Sequence, residues 1–265
     1  MRLSLNLEIN NIGDNSIINS SIPVKIPIEY RRMFMSYIKH CINQADSDLF
    51  TFYYGDNQNK IERDKPFTFS VFFPQLQGIE KTNEHPSYLL LSKNIAILNI
   101  STNDLELITA IYNGSLKKTN FSYSNKFSII LKHAYIHPLK KINDSRVKFK
   151  TLSPFLINKK GQNEDDNLKY LEYNPTNSGD FKDALKFNLI ELCRKFLKYE
   201  PNIEIHLPPK ETEYKKIVVS HYKQNMTANK MILDIEAPSD ALQLFYDIGI
   251  GVRRSQGFGM LEVIN

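Results

Sequence analysis

Residues 239–265 read SDALQLFYDIGIGVRRSQGFGMLEVIN. The first ten carry apolar residues at helical spacing, with Ser239 placed to cap the helix and Asp240 in its first turn. The helix is expected to end near Ile248 or Gly249, and a final strand to begin near Met260. Between them lie four of the chain's ten glycines, at 249, 251, 257 and 259, flanking Arg253 and Arg254. A dinucleotide fingerprint runs from strand to helix, so that phosphate meets the helix N-terminus. Here the order is helix to strand and the spacing differs, which excludes that reading. Part of the glycine cluster is explained by a helix cap at Gly249 or Gly251 and a tight turn at Gly257 and Gly259. The paired arginines are not. With Ser255 and Gln256 they offer a set of donors suited to phosphate.

Working outward, the helix–loop–strand closes a longer series. RVKFKTLSPFLI (146–157) reads as a strand broken at Pro154, and DFKDALKFNLIELCRKFLKY (180–199) as an amphipathic helix. IEIHL (203–207), KKIVVSHY (215–222) and KMILDIEA (230–237) read as strands. The first half has the same order. A strand alternates from Leu3 to Ile9, and a helix follows with Phe34, Ile38, Cys41, Ile42 and Ala45 on one stripe. Strands at 67–73, 88–92 and 94–101 come next, then a helix over 105–116 that Gly114 helps to stop, and a strand over 126–139. Each half is strand–helix–strands–helix–strand. The fold class is therefore α+β, two tandem ferredoxin-like (RRM-like) βαββαβ units, divided as 1–142 and 143–265. No sequence repeat accompanies the repeated pattern.

Composition bounds the function. The 265 residues carry 34 Lys and Arg against 29 Asp and Glu, a net charge of +5, which fits a polyanionic partner without requiring one. Two cysteines, Cys41 and Cys193, cannot build a four-cysteine metal site or a disulfide framework. No secretory leader and no apolar run approaching ~18 residues is present, so a soluble, cytoplasmic protein without a membrane partner is expected.

GIGVRRSQGFGMLEV resembles the C-terminal glycine-rich loop, G-φ-G-x5-G-F-G-φ with φ hydrophobic, of the RAMP superfamily of CRISPR-associated proteins. In particular it is similar to that of the repeat-RNA-processing endoribonucleases, the Cas6 family. Gly249, Gly251, Gly257, Phe258 and Gly259 stand in register, and TLSPFLI (151–157) resembles a second recurrent stretch of the family. The resemblance implies binding of CRISPR precursor RNA and metal-independent cleavage within its repeats. The 2′-hydroxyl would attack, leaving a 2′,3′-cyclic phosphate and a 5′-hydroxyl, with no cofactor. The same loop occurs in RAMP proteins that bind guide RNA as effector-complex subunits without cutting. Homodimer formation and association with other CRISPR-associated proteins are left open.

Such cleavage needs proton transfer at the 2′- and 5′-oxygens and positive charge at the phosphorus. Six histidines are present, at 40, 85, 133, 137, 206 and 221. His133 and His137 share a strand and lack carboxylates for a metal cluster, so no metal site is expected. His40 falls roughly 160° from the apolar stripe of its helix, the face of a solvent-exposed residue. The family keeps its catalytic histidine in the first helix or just after it, and that points to His40. Where some members carry a later Tyr-Leu-His stretch, this chain has Tyr53 and Tyr54, weaker candidates together with Lys39; Tyr37, Lys60 and Lys65 are further ones. For RNA contact the candidates are Arg253, Arg254, Ser255, Gln256 and Gly257 of the loop, Arg31 and Arg32, and Arg146, Lys148 and Lys150, which share one face of a strand.

Overall fold

In the computed structural model, residues 1–12, 24–55, 64–80, 87–158, 170–208, 210–222 and 224–264 are described. The first half runs β1 (Arg2–Asn11), β2 (Val24–Pro27), α1 (Tyr30–Ala45), α2 (Ser47–Tyr54), β3 (Phe67–Phe72), β4 (Leu76–Glu80), β5 (Tyr88–Leu91), β6 (Ile95–Thr102), α3 (Leu105–Lys117), β7 (Asn120–Tyr123) and β8 (Phe127–Ile136). The second runs β9 (Arg146–Thr151), α4 (Ser178–Phe196), β10 (Glu204–His206), β11 (Tyr214–His221), β12 (Gln224–Glu236), α5 (Ser239–Ile248) and β13 (Leu261–Ile264), with single 3-10 turns between.

The first sheet has the order β3-β6-β1-β8-β7, all antiparallel. Taking β1, β3, β6 and β8 as the four strands of a βαββαβ unit, the order is second, third, first, fourth. The second sheet, β10-β12-β9-β13, has that same order. The duplication read from element succession is thus a duplication of topology. It is built by the alternation expected of half-buried strands: Leu3, Leu5, Leu7 and Ile9 are fully covered by the α1 and α3 side, while Ser4, Asn6 and Glu8 face the other way.

Each half has its own core. One gathers β1, α1, β6 and α3; the other gathers β9, α4, β12 and α5, and already includes Ile142. Among the described residues no helix is long and apolar enough to cross a membrane.

Several sequence expectations change. Of residues 88–92, Tyr88–Leu91 form β5, but it pairs with β2 and β4 in a separate three-stranded sheet. Strand β9 stops at Thr151, and Phe155 and Leu156 make isolated bridges to Asn229 and Val252. Ser239 does not cap α5; Pro238 holds the N-cap position, which has no side-chain capping bond. Gly114 does not stop α3, which continues to Lys117. It lies where α3 crosses α1, and a Cβ there would collide with the carbonyl of Cys41. The helix needs glycine for close approach, not for termination. Helix α2, missing from the sequence reading, is capped by Asp46, whose Oδ1 accepts from the amides of Asp48 (3.0 Å) and Leu49 (2.8 Å).

Candidate nucleic-acid interface

The glycine-rich loop is threaded between the two halves. Gly249 caps α5 with φ 78°, and Gly251, Gly257 and Gly259 also take positive φ. The positions are crowded as well as left-handed. A Cβ on Gly251 would lie 2.5 Å from the Leu156 carbonyl oxygen, and one on Gly257 would lie 2.7 Å from the Phe69 ring. A Cβ on Gly259 would strike the Ile250 carbonyl. Thr68 of β3 donates to the Phe258 carbonyl at 2.7 Å, and Arg31 Nε of α1 to the Gly257 carbonyl at 3.2 Å. The glycines let the loop fold closely on its own half at Leu156 and Ile250 and let the Thr68 and Phe69 side chains of β3 press against it from the other.

This corrects two assignments. Arg31 and Arg254 were expected to face RNA; each is 7% exposed. Arg31 lies between the rings of Tyr30 and Phe258, 4.9 Å from each. Arg254 donates to the Ile248 carbonyl at 3.4 Å and lies 5.5 Å from the Phe196 ring. Burial pulls its guanidinium pKa down to about 10. Both use their donors and flat faces inside the protein.

The rest of the loop is more open. Arg253, at φ 57°, donates Nε to the Tyr170 hydroxyl at 2.7 Å and Nη1 to Gln256 Oε1 at 3.3 Å. The same Gln256 oxygen lies 3.0 Å from His221 Nε2. His221 is fully buried, and burial pushes its pKa down to about 4, so the ring is neutral near pH 7. It ties the β11–β12 hairpin to the loop. Ser255 and Gln256 are half-buried and line a polar cavity of about 450 Å³ with Arg253, Lys65, Lys195, Asp64 and Asn188. Lys195 pairs with Asp64 at 2.7 Å within it. Lys195 and Asn188 sit on the polar side of α4, and no motif marks them.

The candidates on α1 and α2 separate. Lys39 Nζ lies 4.6 Å from the centre of the Tyr54 ring, and Lys65 Nζ lies 4.9 Å from it. Of the three, Lys65 also lines the cavity beside the glycine-rich loop. Burial raises the Tyr54 hydroxyl pKa and lowers that of Lys39. Tyr53 turns away: its hydroxyl donates to Asp104 Oδ2 at 2.5 Å, and burial and that carboxylate raise its pKa. His40 takes another side of α1. It is half-buried rather than solvent-exposed, because β7, absent from the sequence reading, brings the Phe121 ring to 4.9 Å. Its Nε2 is enclosed and makes no hydrogen bond, and burial followed by Lys118 lowers its pKa. Lys118 lies just before β7. Lys60 and His85 lie outside the described residues.

On β9, Arg146, Lys148 and Lys150 are exposed and Val147, Phe149 and Thr151 buried, as the alternation requires. The face is not purely basic. Arg146 makes a two-pronged pair with Asp234 (3.0 and 2.9 Å) and reaches Glu236 at 3.0 Å, while Glu262 pairs opposite Lys150. Arg32 pairs with Glu29 at 3.4 Å and lies 4.8 Å from the Tyr222 ring.

Residues 137–263 match the family profile "CRISPR associated protein Cas6, C-terminal". No protein of curated function matches the chain. Three similar solved structures share the fold over the whole chain. The product of a Cas6-related gene from Pyrococcus furiosus is 18% identical, with 100% of this chain and 98% of that one covered and a TM-score of 0.74. A RAMP protein described as binding different RNA substrates is 17% identical, covered 100% in both directions, with a TM-score of 0.72. A CRISPR-associated protein Cas6 is 22% identical, covered 100% and 99%, with a TM-score of 0.68.

Proposed function

We propose that the chain, whose residues 137–263 match the Cas6 C-terminal family model, is a Cas6-family RAMP protein that binds CRISPR precursor RNA and cuts it within the repeat without a metal ion. The observation that carries the reading is the family match, whose domain contains the glycine-rich loop. Cleavage proceeds by in-line attack of a 2′-oxygen on the adjacent phosphorus. The P–O2′ bond forms and the P–O5′ bond breaks, leaving a 2′,3′-cyclic phosphate and a 5′-hydroxyl. Positioning of the 2′-oxygen and positive charge near the phosphorus supply most of the acceleration.

His40 is the proposed proton-transfer group. Its lowered pKa leaves it neutral at pH 7 and able to take the 2′-proton. Its Nε2 is covered, so RNA has to turn the ring outward before that nitrogen acts. Lys118 is the cation beside it; Tyr54, with Lys39 and Lys65 against its ring, is the weaker proton-transfer candidate. Arg253, Ser255, Gln256, Gly257, Arg32, Lys148 and Lys150 remain proposed RNA contacts; Arg146 would contact RNA only by leaving its carboxylates. The chain acts in this reading as two units divided near residue 142.

One observation favours a second reading, a RAMP subunit that binds guide RNA without cutting it: two of the proton-transfer candidates are engaged inside the protein, the His40 Nε2 enclosed and the Tyr53 hydroxyl bonded to Asp104. The test is cleavage of repeat RNA in EDTA. Wild type is expected to cut, His40→Ala to cut at least ~100-fold more slowly, and RNA with a 2′-deoxy nucleotide at the cut site to stay whole. Binding without cutting by wild type establishes the second reading instead.

A further inference from the structure

We propose that Phe121 is a specificity-determining residue for the cleavage: its ring holds the His40 imidazole turned in against α1, so that only an RNA docked well enough to draw the imidazole outward is cut. This rests on the reading of His40 as the proton-transfer group.

The hairpin that carries Phe121 is a small structure on the edge of the first sheet. Strand β7 has four residues, stands last in its sheet and pairs only with β8. Ser124 and Asn125, at φ 53° and 54°, turn the chain, and the Lys126 amide donates to the Tyr123 carbonyl at 3.1 Å. Along β7 the side chains alternate, with Asn120 and Ser122 exposed and Phe121 and Tyr123 half-buried. The alternation turns Phe121 toward α1, where Tyr37 and His40, three residues apart, are neighbours on one face. The Phe121 ring lies 5.8 Å from the Tyr37 ring and 4.9 Å from the imidazole, tilted 36° to it. Tyr37 is fully buried, while His40 and Phe121 each keep part of their surface in solvent. The imidazole therefore has somewhere to go.

Two opposed contributions act on the inward imidazole. The ring contact with Phe121 stabilises it. The enclosed Nε2, which makes no hydrogen bond, destabilises it, because the same nitrogen turned outward would be solvated. The two are of comparable size, so inward and outward rings are close in free energy and one ligand contact decides between them. A 2′-hydroxyl bonded to Nε2 is a contact that only the outward ring can make. Lys118, the charged group facing His40 from the β7 side, can hold a phosphate close by. An RNA that docks poorly makes neither contact and leaves the ring turned in. Its cut is slowed by the fraction of molecules whose ring is outward, which is discrimination by induced fit.

The test is single-turnover cleavage in EDTA, by the full chain, of repeat RNA and of an equally long RNA that keeps the nucleotides at the cut site but has scrambled flanks. Phe121→Ala is expected to speed cutting of the scrambled RNA about 10-fold relative to the repeat, and Phe121→Leu, which keeps apolar bulk without the flat face, about 3-fold. Phe121→Tyr retains the ring and should retain the wild-type ratio. Proton NMR reads the imidazole itself. Its pKa, lowered by burial and then by Lys118, should rise toward 6.5 in Phe121→Ala and stay lowered in Phe121→Tyr. The other titratable groups packed about this part of α1 are Tyr37 and Cys41 on the helix and Lys117 of α3, whose Nζ donates to the Gln44 carbonyl at 3.2 Å, and every variant keeps them. Thermal melts check folding, and Phe121→Leu carries the test should Phe121→Ala prove unstable. A ratio that does not move, or rates on both RNAs that fall together, overturns the proposal, as does a His40 pKa that Phe121→Ala leaves in place. If wild type cuts the repeat and the ratio stays fixed, the role of Phe121 alone fails; if wild type cuts neither RNA, the cleavage reading fails and this role with it.

Discussion

The glycine-rich loop and the His40 side of α1 differ in almost every physical respect. From Gly249 to Gly259 the backbone is locked: four glycines at positive φ, carbonyls of the second half and side chains of β3 within a Cβ's reach, and two arginines buried inside the seam. Around His40 the backbone is ordinary helix, and what is unusual is chemical: a half-buried imidazole with an unpartnered nitrogen, a neighbouring cation and an aromatic wall. A conspicuous motif can thus record a packing constraint, while a site suited to chemistry carries no motif. The part of the loop that packing leaves open, Arg253, Ser255 and Gln256 beside Lys65 and Lys195, retains surface for a ligand.

The contrast breaks first at Gly259. Gly259→Ala combines a left-handed residue with a backbone collision, and should cost about 4 kcal/mol or more, seen as a collapsed melting temperature or insoluble protein. Gly78→Ala, with nothing near its Cβ position, should stay within ~0.5 kcal/mol. A soluble, fully stable Gly259→Ala protein would mean the loop is less locked than its geometry implies.

A smaller effect comes from acid. His221 ties hairpin to loop as a neutral ring, its pKa pushed down to about 4 from the usual 6.5. A base depressed in the folded state contributes stability that is present above pH 6.5 and is lost as pH falls from there toward 4. On the order of 3 kcal/mol is at stake. His40 and His137, also lowered, act in the same direction. The gap between the urea midpoints at pH 7 and pH 4.5 should narrow in His221→Phe, leaving the part due to His40 and His137; an undiminished acid loss there would place the titration elsewhere.

The smallest change sharpens the α1–α2 side. Tyr53→Phe removes a hydroxyl bonded to the N-cap carboxylate of α3 and should cost about 1 kcal/mol of stability while leaving cleavage unaltered. A loss of ~100-fold in cleavage would make Tyr53 a proton-transfer group after all.

Legibility followed the range of the interactions. The strand β1 and helix α1 were readable because Leu3, Leu5, Leu7 and Phe34, Ile38, Cys41 repeat at periods that one element satisfies alone. Helix α2 was missed although Asp46 caps it, since eight residues with no buried side chain give little periodicity. The exposure predicted for His40 was right for an isolated helix and wrong once β7 came to rest beside it. Arg31 and Arg254 were read as phosphate donors because guanidinium groups usually stay in water; here carbonyls and aromatic rings replace that water.

By itself the sequence determined the succession of elements, the α+β class and the place of the loop, since periodicity and left-handed glycine are local properties of the chain. Tertiary structure alone decided which cations face outward, which histidines are neutral and which side chains from β1, β6, β13 and the segment after β8 share one pocket. Burial, desolvation and strand register depend on residues 95 to 260 positions apart, as in the Ser4–Asn99 and Arg2–Glu262 contacts, and no local pattern encodes such pairs.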